Sequence, residues 1–254
     1  MTDMHCHILP GMDDGSRSAA ESLSMLEASA AQGVDRIVAT PHFYAGENSP
    51  EVFLSRREHA YERLKAVWRP GLPEIALGAE VCWFAGAGQC DGLERLRIAG
   101  TRLLLLEMPF TRWTERMLRE VREIQERPGM TVLLAHVERY LGGQPPAVWE
   151  ALLDWGVLNQ CNADFFLRWR TRRKALQMLR EGRIHFLGSD SHNMDTRPPR
   201  LGKAPGRRPD FSASPPVPAP PSAFWFPGCS WARHAPKCAR QKTALLRPTA
   251  GRRQ

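Results

Sequence analysis

The chain has 254 residues, 43% of them hydrophobic and 24% charged, the balance of a globular protein with a sizeable core in one domain or one large barrel. No run reaches the ~18 apolar residues of a transmembrane helix, so no such helix and no membrane insertion are expected. The formal charge of +8 taken whole would suggest nucleic acid, but it is confined to one end: residues 1–197 hold 24 Lys+Arg against 26 Asp+Glu, while residues 198–254 hold 11 against one acid, Asp210.

Seven apolar segments read as strands: Thr2–His5, Arg36–Thr40, Glu74–Leu77, Leu103–Glu107, Thr131–Ala135, Gly156–Gln160 and Ile184–Leu187. Helical patterns lie between most of them. Ser18-Ala-Ala-Glu21 is a capping box opening a helix to about Gln32, with Gly33 as its stop. Further helices are expected over Phe53–Trp68, Trp113–Arg127, Ala147–Trp155 and Arg168–Glu181. Alternation of this kind implies a parallel sheet, closed as a compact, distorted (β/α) barrel or left open and doubly wound. No glycine-rich phosphate loop follows the first strand, which disfavours the open form.

The residues that end these strands carry the chemistry. The first strand runs into Asp3-Met-His5-Cys-His7, and a His-x-His pair on an extended chain puts both imidazoles on one face. Asp13 and Asp14 follow in the loop. Later strands end in His42, Glu80, Glu107, His136, and Asp190 with His192. In α/β barrels the C-terminal strand ends form one rim, where active sites sit. His5, His7, Asp14, His42, Glu80, Glu107, His136, Asp190 and His192 are therefore expected to converge, with Asp13 as a supporting acid. Mixed imidazole and carboxylate donors suit Mn, Fe or Zn. So many donors call for two or three ions sharing carboxylates.

His59, His185 and His234 are assigned to surface, strand packing and tail, and Glu138 to an ion pair with a nearby arginine. Arg139 and Arg197 flank the rim, and arginine beside a metal cluster suits an anionic substrate because its planar fork grips phosphate at two points. Arg168, Arg170, Arg172 and Arg173 read as a solvated helix start without a chemical role. The six cysteines are widely spaced with no CxxC pair, which argues against a disulfide framework and a cysteine-zinc site. Nor does Cys6, Cys82, Cys90 or Cys161 have an arginine six positions on, as the common cysteine-phosphatase loop requires.

The opening Asp3-Met-His-Cys-His-Ile-Leu-Pro-Gly-Met-Asp-Asp-Gly15 resembles that of the PHP (polymerase and histidinol phosphatase) superfamily. More narrowly, it resembles the bacterial manganese-dependent tyrosine phosphatases of capsule and exopolysaccharide clusters. Thr40-Pro-His42, Gly78-Ala-Glu80, Ala135-His-Val-Glu-Arg-Tyr140 and Gly188-Ser-Asp-Ser-His-Asn193 with Arg197-Pro-Pro199 are similar to that family's later motifs. The resemblance covers about residues 1–200. It implies a distorted (β/α)7 PHP-type barrel, a three-metal centre usually filled by Mn2+, and hydrolysis of phosphotyrosine on a tyrosine autokinase. The nine rim residues would be the metal ligands, and Arg139 and Arg197 the phosphate clamp. His42 or Asp14 is the candidate general acid.

After Arg197-Pro-Pro the sequence departs from the family's helical continuation. The last 57 residues hold 12 of the 21 prolines, including the run Ser212–Ser222. They read as a divergent or frame-shifted extension: a metallophosphatase domain over 1–205 and a disordered basic tail over 206–254. The basic residues there lack aromatic interleaving, so a nucleic-acid role is not expected. Met1–Pro10 carries no basic region followed by an apolar run, and the expected location is cytoplasmic. Another PHP phosphoesterase, such as a histidinol-phosphate phosphatase, and a catalytically impaired kinase-docking protein are the competing readings.

Overall fold

The computed structural model describes residues 1–204, so the expected disordered tail at 206–254 lies outside the described residues. Nine strands and six helices follow in chain order among these residues: β1 (Thr2–Cys6), α1 (Ala19–Ala30), β2 (Arg36–Ala39), β3 (His42–Phe43), α2 (Pro50–Lys65), β4 (Glu74–Leu77), β5 (Glu80–Cys82), β6 (Leu103–Glu107), α3 (Glu115–Glu126), β7 (Thr131–Leu134), α4 (Pro146–Asp154), β8 (Leu158–Asn162), α5 (Asp164–Leu167), α6 (Trp169–Arg180) and β9 (Phe186–Gly188). Every pairing is parallel, in a three-stranded sheet β1-β2-β4 and a six-stranded sheet β3-β5-β6-β7-β8-β9. The last strand returns to the first. The Asp190 amide donates to the His5 carbonyl (2.8 Å) and the His7 amide to that of Ser191 (2.9 Å). The architecture is thus a curled, all-parallel sheet with helices around it. Among the described residues no helix is long and apolar enough to cross a membrane.

The central strands β6 and β7 are apolar on both faces, as buried parallel strands commonly are, and the pleat divides their side chains between two clusters. Leu104, Leu106, Val132 and Leu134 join the large cluster that also takes Met25, Leu26, Val121 and Ile124 from the helices. Leu103, Leu105, Leu133 and Ala135 join Met4, Val38, Ile98 and Leu158 in a second, smaller one. The curl is tight where β9 meets β1. A Cβ on Gly188 would lie 2.5 Å from the His5 Cβ and 2.7 Å from the Gln160 Nε2, so only glycine admits the approach.

Two expectations need adjustment. The strands expected at Arg36–Thr40 and Glu74–Leu77 each resume after a two-residue break, Thr40-Pro41 and Gly78-Ala79, as β3 and β5. Pro41 has no N–H to give the ladder, so pairing cannot run through it. At the first helix, Ser18 Oγ accepts from the Glu21 amide (3.2 Å), but the Glu21 carboxylate accepts from the Arg17 amide (2.8 Å) and not from Ser18. The box closes one residue early.

Candidate metal centre

The nine strand-end residues do meet. The Glu80 carboxylate is their centre. Its Oε2 lies 3.1 Å from His5 Nε2, 3.2 Å from His7 Nε2 and 3.2 Å from His42 Nδ1, and its Oε1 lies 3.0 Å from His136 Nε2. Glu107 Oε1 is 3.2 Å from the same His136 nitrogen. Asp190 Oδ1 stands 3.7 Å from His5 Nε2, 3.6 Å from His7 Nε2 and 3.7 Å from His192 Nδ1. At the mouth, Asp14 Oδ1 is 3.4 Å from His192 Nε2 and 3.7 Å from His42 Nε2, with its side chain 66% exposed. The His-x-His expectation holds: His5 Nε2 and His7 Nε2 are 3.1 Å apart.

The backbone is shaped for this convergence. Among the described residues only His136 (φ 30°) and Asp190 (φ 53°) are non-glycine residues with positive φ. Both leave the ends of parallel strands and both carry site side chains, and strain of this kind collects at functional positions. The β1–β2 register also shifts between Asp3 and Cys6, an irregularity that re-aims side chains.

The donor set fits divalent cations. Glu80 Oε2 is buried amid three imidazole nitrogens yet makes no hydrogen bond, and His136 Nδ1 is buried without a partner. Burial opposes charge on His7, but the carboxylates of Asp13 and Glu80 outweigh it and push its pKa up to about 10. His136 rises to about 9 against burial, through Glu107 and Glu80. Burial likewise opposes ionisation of Glu80, and His5 and His136 hold it well below the usual carboxylate range regardless. His192 moves the other way, to about 4, because burial, His7 and Arg197 all disfavour its proton. So dense a carboxylate field around buried imidazoles is what cations would neutralise. Four overlapping groups could hold ions: His7–Asp14–His42–His192, His5–His7–Asp190, Glu80–Glu107–His136 and His42–Cys82–Glu107.

Three supporting residues orient the donors. Asp13 Oδ2 accepts from His7 Nδ1 (2.7 Å) and the His42 amide (2.9 Å), and its Oδ1 accepts from the Gly15 amide (3.0 Å). Gln160 Oε1 accepts from the His136 amide (2.7 Å) and lies 3.1 Å from His5 Nδ1, while its Nε2 donates to Asn162 Oδ1 (3.0 Å). Asn162 Nδ2 in turn donates to Asp190 Oδ2 (2.9 Å). Outer partners of this kind commonly set ~10–100-fold in metal affinity. Asp13→Ala is expected to lose that much affinity for Mn2+ by calorimetric titration, with the fold intact by circular dichroism.

Cys82 was missed as a site residue. Its Sγ donates to Glu107 Oε2 (2.9 Å) and lies 3.7 Å from His42 Nδ1. Burial and Glu107 push its thiol up, so it is no thiolate nucleophile. It lies two residues after Glu80 on β5, hence on the same face, a placement that shows only once that short strand is formed. Glu138 corrects a second expectation. It pairs with no arginine among the described residues; its Oε2 accepts from the Asn162 amide (3.2 Å), and burial raises its pKa. His59 is on the surface of α2 as expected. His185 precedes β9, where Nδ1 accepts from the Asn159 amide (2.9 Å).

Arg139 and Arg197 both reach the rim from outside the nest. Arg139 Nη2 bonds Asp190 Oδ2, and Arg197 Nη2 lies 2.6 Å from Asp190 Oδ1. Arg197 Nη1 is 2.8 Å from His192 Nε2.

Fold and site together define a class: a curled parallel α/β protein with donors for several divalent cations at its strand ends and two arginine forks beside them. The family model described as capsular polysaccharide synthesis, CpsB/CapC, matches residues 1–207, and the chain belongs to that family. It is 31% identical over 209 residues to the tyrosine-protein phosphatase YwqE of Bacillus subtilis, covering 78% of this chain and 79% of the relative. It is also 31% identical over 223 residues to the tyrosine-protein phosphatase CpsB of Streptococcus agalactiae, covering 80% and 88%. Among solved structures it superposes with a TM-score of 0.68 and 27% identity on a chain from a study of YwqE from Bacillus subtilis and CpsB from Streptococcus pneumoniae, described as unique metal-dependent tyrosine phosphatases. That match covers 80% of this chain and 84% of the other.

Proposed function

We propose that the chain is a metal-dependent protein-tyrosine phosphatase. It hydrolyses phosphotyrosine on a tyrosine autokinase that governs capsular or exopolysaccharide synthesis, in the cytoplasm and with Mn2+ as the working ion. The observation that carries this reading is the meeting of five imidazoles and three further carboxylates around Glu80 with two arginine forks at their edge. The same reading takes β2–β3 and β4–β5 each as one interrupted strand, which gives the seven strands of a (β/α)7 barrel, and it places the metallophosphatase domain at 1–205.

His5, His7, Asp14, His42, Glu80, Glu107, His136, Asp190 and His192 would hold the ions. When bound, these would supply Lewis-acid polarisation of the phosphoryl group and an acidified water at neutral pH. The chain's own residues do the rest. Arg139 and Arg197 orient the phosphoryl oxygens and meet the negative charge that spreads over them in the transition state. Asp13 and Gln160 keep His7 and His5 in one ring orientation each. His42 or Asp14, at the mouth, is the candidate to hand a proton to the departing phenol oxygen, through an atom that is not itself holding an ion. Phenolate leaves readily, so this transfer is dispensable.

The test is hydrolysis of a phosphotyrosine peptide by the purified full chain, with and without added Mn2+, alongside its metal content. Activity that follows metal loading and exceeds that on histidinol phosphate is the expected result. Preference for histidinol phosphate would make the chain a small-molecule phosphoesterase, and inertness in the metal-loaded state would leave the docking role.

A further inference from the structure

The lining of a cleft of about 370 Å³ holds two arginine–carboxylate groupings: Arg139, Asp190 and Arg197, its inner end because Asp190 belongs to the metal centre, and Asp164, Arg168 and Arg200, its outer end. The same construction occurs twice along it. At the inner end two arginines close tightly on the one carboxylate of Asp190. At the outer end Arg168 Nη2 lies 3.5 Å from Asp164 Oδ2 and Arg200 Nη1 lies 3.9 Å from Asp164 Oδ1. These outer pairs are loose, and the arginine side chains are 73% and 50% exposed. Loose, solvated pairs of this sort hold little free energy, so an arriving anion can take either guanidinium from Asp164. The third carboxyl of the cleft, Glu138, is turned to the Asn162 amide and does not neutralise them. Among the described residues, two guanidinium groups share the one carboxylate of Asp164 at the outer end, an excess of one positive charge.

We infer that Arg168 and Arg200 form a second anion subsite, which reads an acidic or phosphorylated residue next to the phosphotyrosine in the same substrate segment. The inference rests on the phosphatase reading for the identity of the inner ligand. A concave cleft that shares its inner wall with the metal centre admits an extended peptide leading away from that centre. It does not admit a flat lipid surface. Arginine suits either anion, because the fork binds carboxylate and phosphate alike. Arg168 is solvent-exposed at the start of α6, as the sequence suggests; on this inference it also has a chemical role.

The test uses the Mn2+-loaded full chain and phosphotyrosine peptides flanked by glutamate, by a second phosphotyrosine, by alanine or by lysine. It is run both as hydrolysis and as anisotropy binding of the non-hydrolysable difluorophosphonate forms. The parent should favour acidic over alanine flanks roughly tenfold in kcat/KM, mostly through KM, with the preference fading at about 0.5 M NaCl. R168A/R200A should bring that ratio near one, R168E/R200E should favour lysine flanks, and R168K/R200K should retain most of the preference. The glutamate and second-phosphotyrosine arms tell which anion the subsite takes. No preference in the parent, or one that survives R168A/R200A, overturns the inference. If no phosphotyrosine peptide is hydrolysed while the phosphonates still show the flank preference, the phosphatase reading falls and the subsite stands.

Discussion

Glu80→Gln is expected to leave the purified protein nearly free of bound metal and to lower kcat/KM on a phosphotyrosine peptide by about 10²–10³-fold, the equivalent of breaking a buried charge network by removing one member. The reason is position. Glu80 Oε2 faces three imidazoles and Oε1 a fourth, all within 3.0–3.2 Å. Glutamine keeps the shape but removes the charge, and its NH2 group faces nitrogens that must present lone pairs to an ion. Elemental analysis and steady-state kinetics check both halves. Dialysis against a chelator should reproduce the loss in the parent and added Mn2+ should reverse it. Cys6→Ser and Cys161→Ser should change little, since burial raises both thiols far from the thiolate a nucleophile needs. A Glu80→Gln protein that keeps its metal and its rate would remove the nest from the chemistry.

The convergence was legible because parallel strands buried on both faces advertise themselves as apolar runs, such as Leu103–Leu106, and their ends face one rim. Residues far apart in sequence, His7 and His192 for example, could be placed together with no contact information; their ring centroids lie 3.9 Å apart. The two-residue β3 and three-residue β5 were not legible, since segments so short show no period. Cys82 was lost with β5, because its ligand-like position exists only once Glu80–Cys82 is seen as a strand. Gln160 was missed for a different reason. It lies mid-strand on β8, and its amide orients His5 and His136 through contacts that no spacing rule marks. The α2 helix begins at Pro50, capped by Ser49 Oγ, three residues before the apolar Phe53 that marks its pattern. Its true signal was Ser-Pro at the N-cap and first turn, a polar cue ahead of the hydrophobic one.

Arg139→Lys and Arg197→Lys are each expected to lower kcat/KM on phosphotyrosine peptides by about 10²-fold or more, with metal content unchanged. Lysine is the informative replacement because it keeps the charge beside Asp190. Burial disfavours ionisation of that carboxyl, and His5, His7 and Arg139 hold it far down nevertheless. Alanine would disturb this balance and so mix a metal-site effect with a substrate effect. What lysine cannot keep is the fork. Arg139 and Arg197 approach opposite oxygens of Asp190, and Arg197 also spans to His192 Nε2 at 2.8 Å. Each guanidinium is therefore fixed in a plane at the edge of the nest with further N–H groups to offer. A compact ammonium meets one phosphoryl oxygen where the fork meets two. If the forks act on charge that develops as phosphorus is attacked, the loss falls on kcat; if they only bind the ground state, KM rises alone. The geometry favours kcat, because both guanidinium groups converge on one site carboxylate from two sides, as they would on the equatorial oxygens of a transferring phosphoryl group. The double Lys variant should lose less than the product of the single losses, because the two forks share Asp190 and one anion. Additive losses, or normal turnover in both single variants, would place the anion elsewhere on the rim.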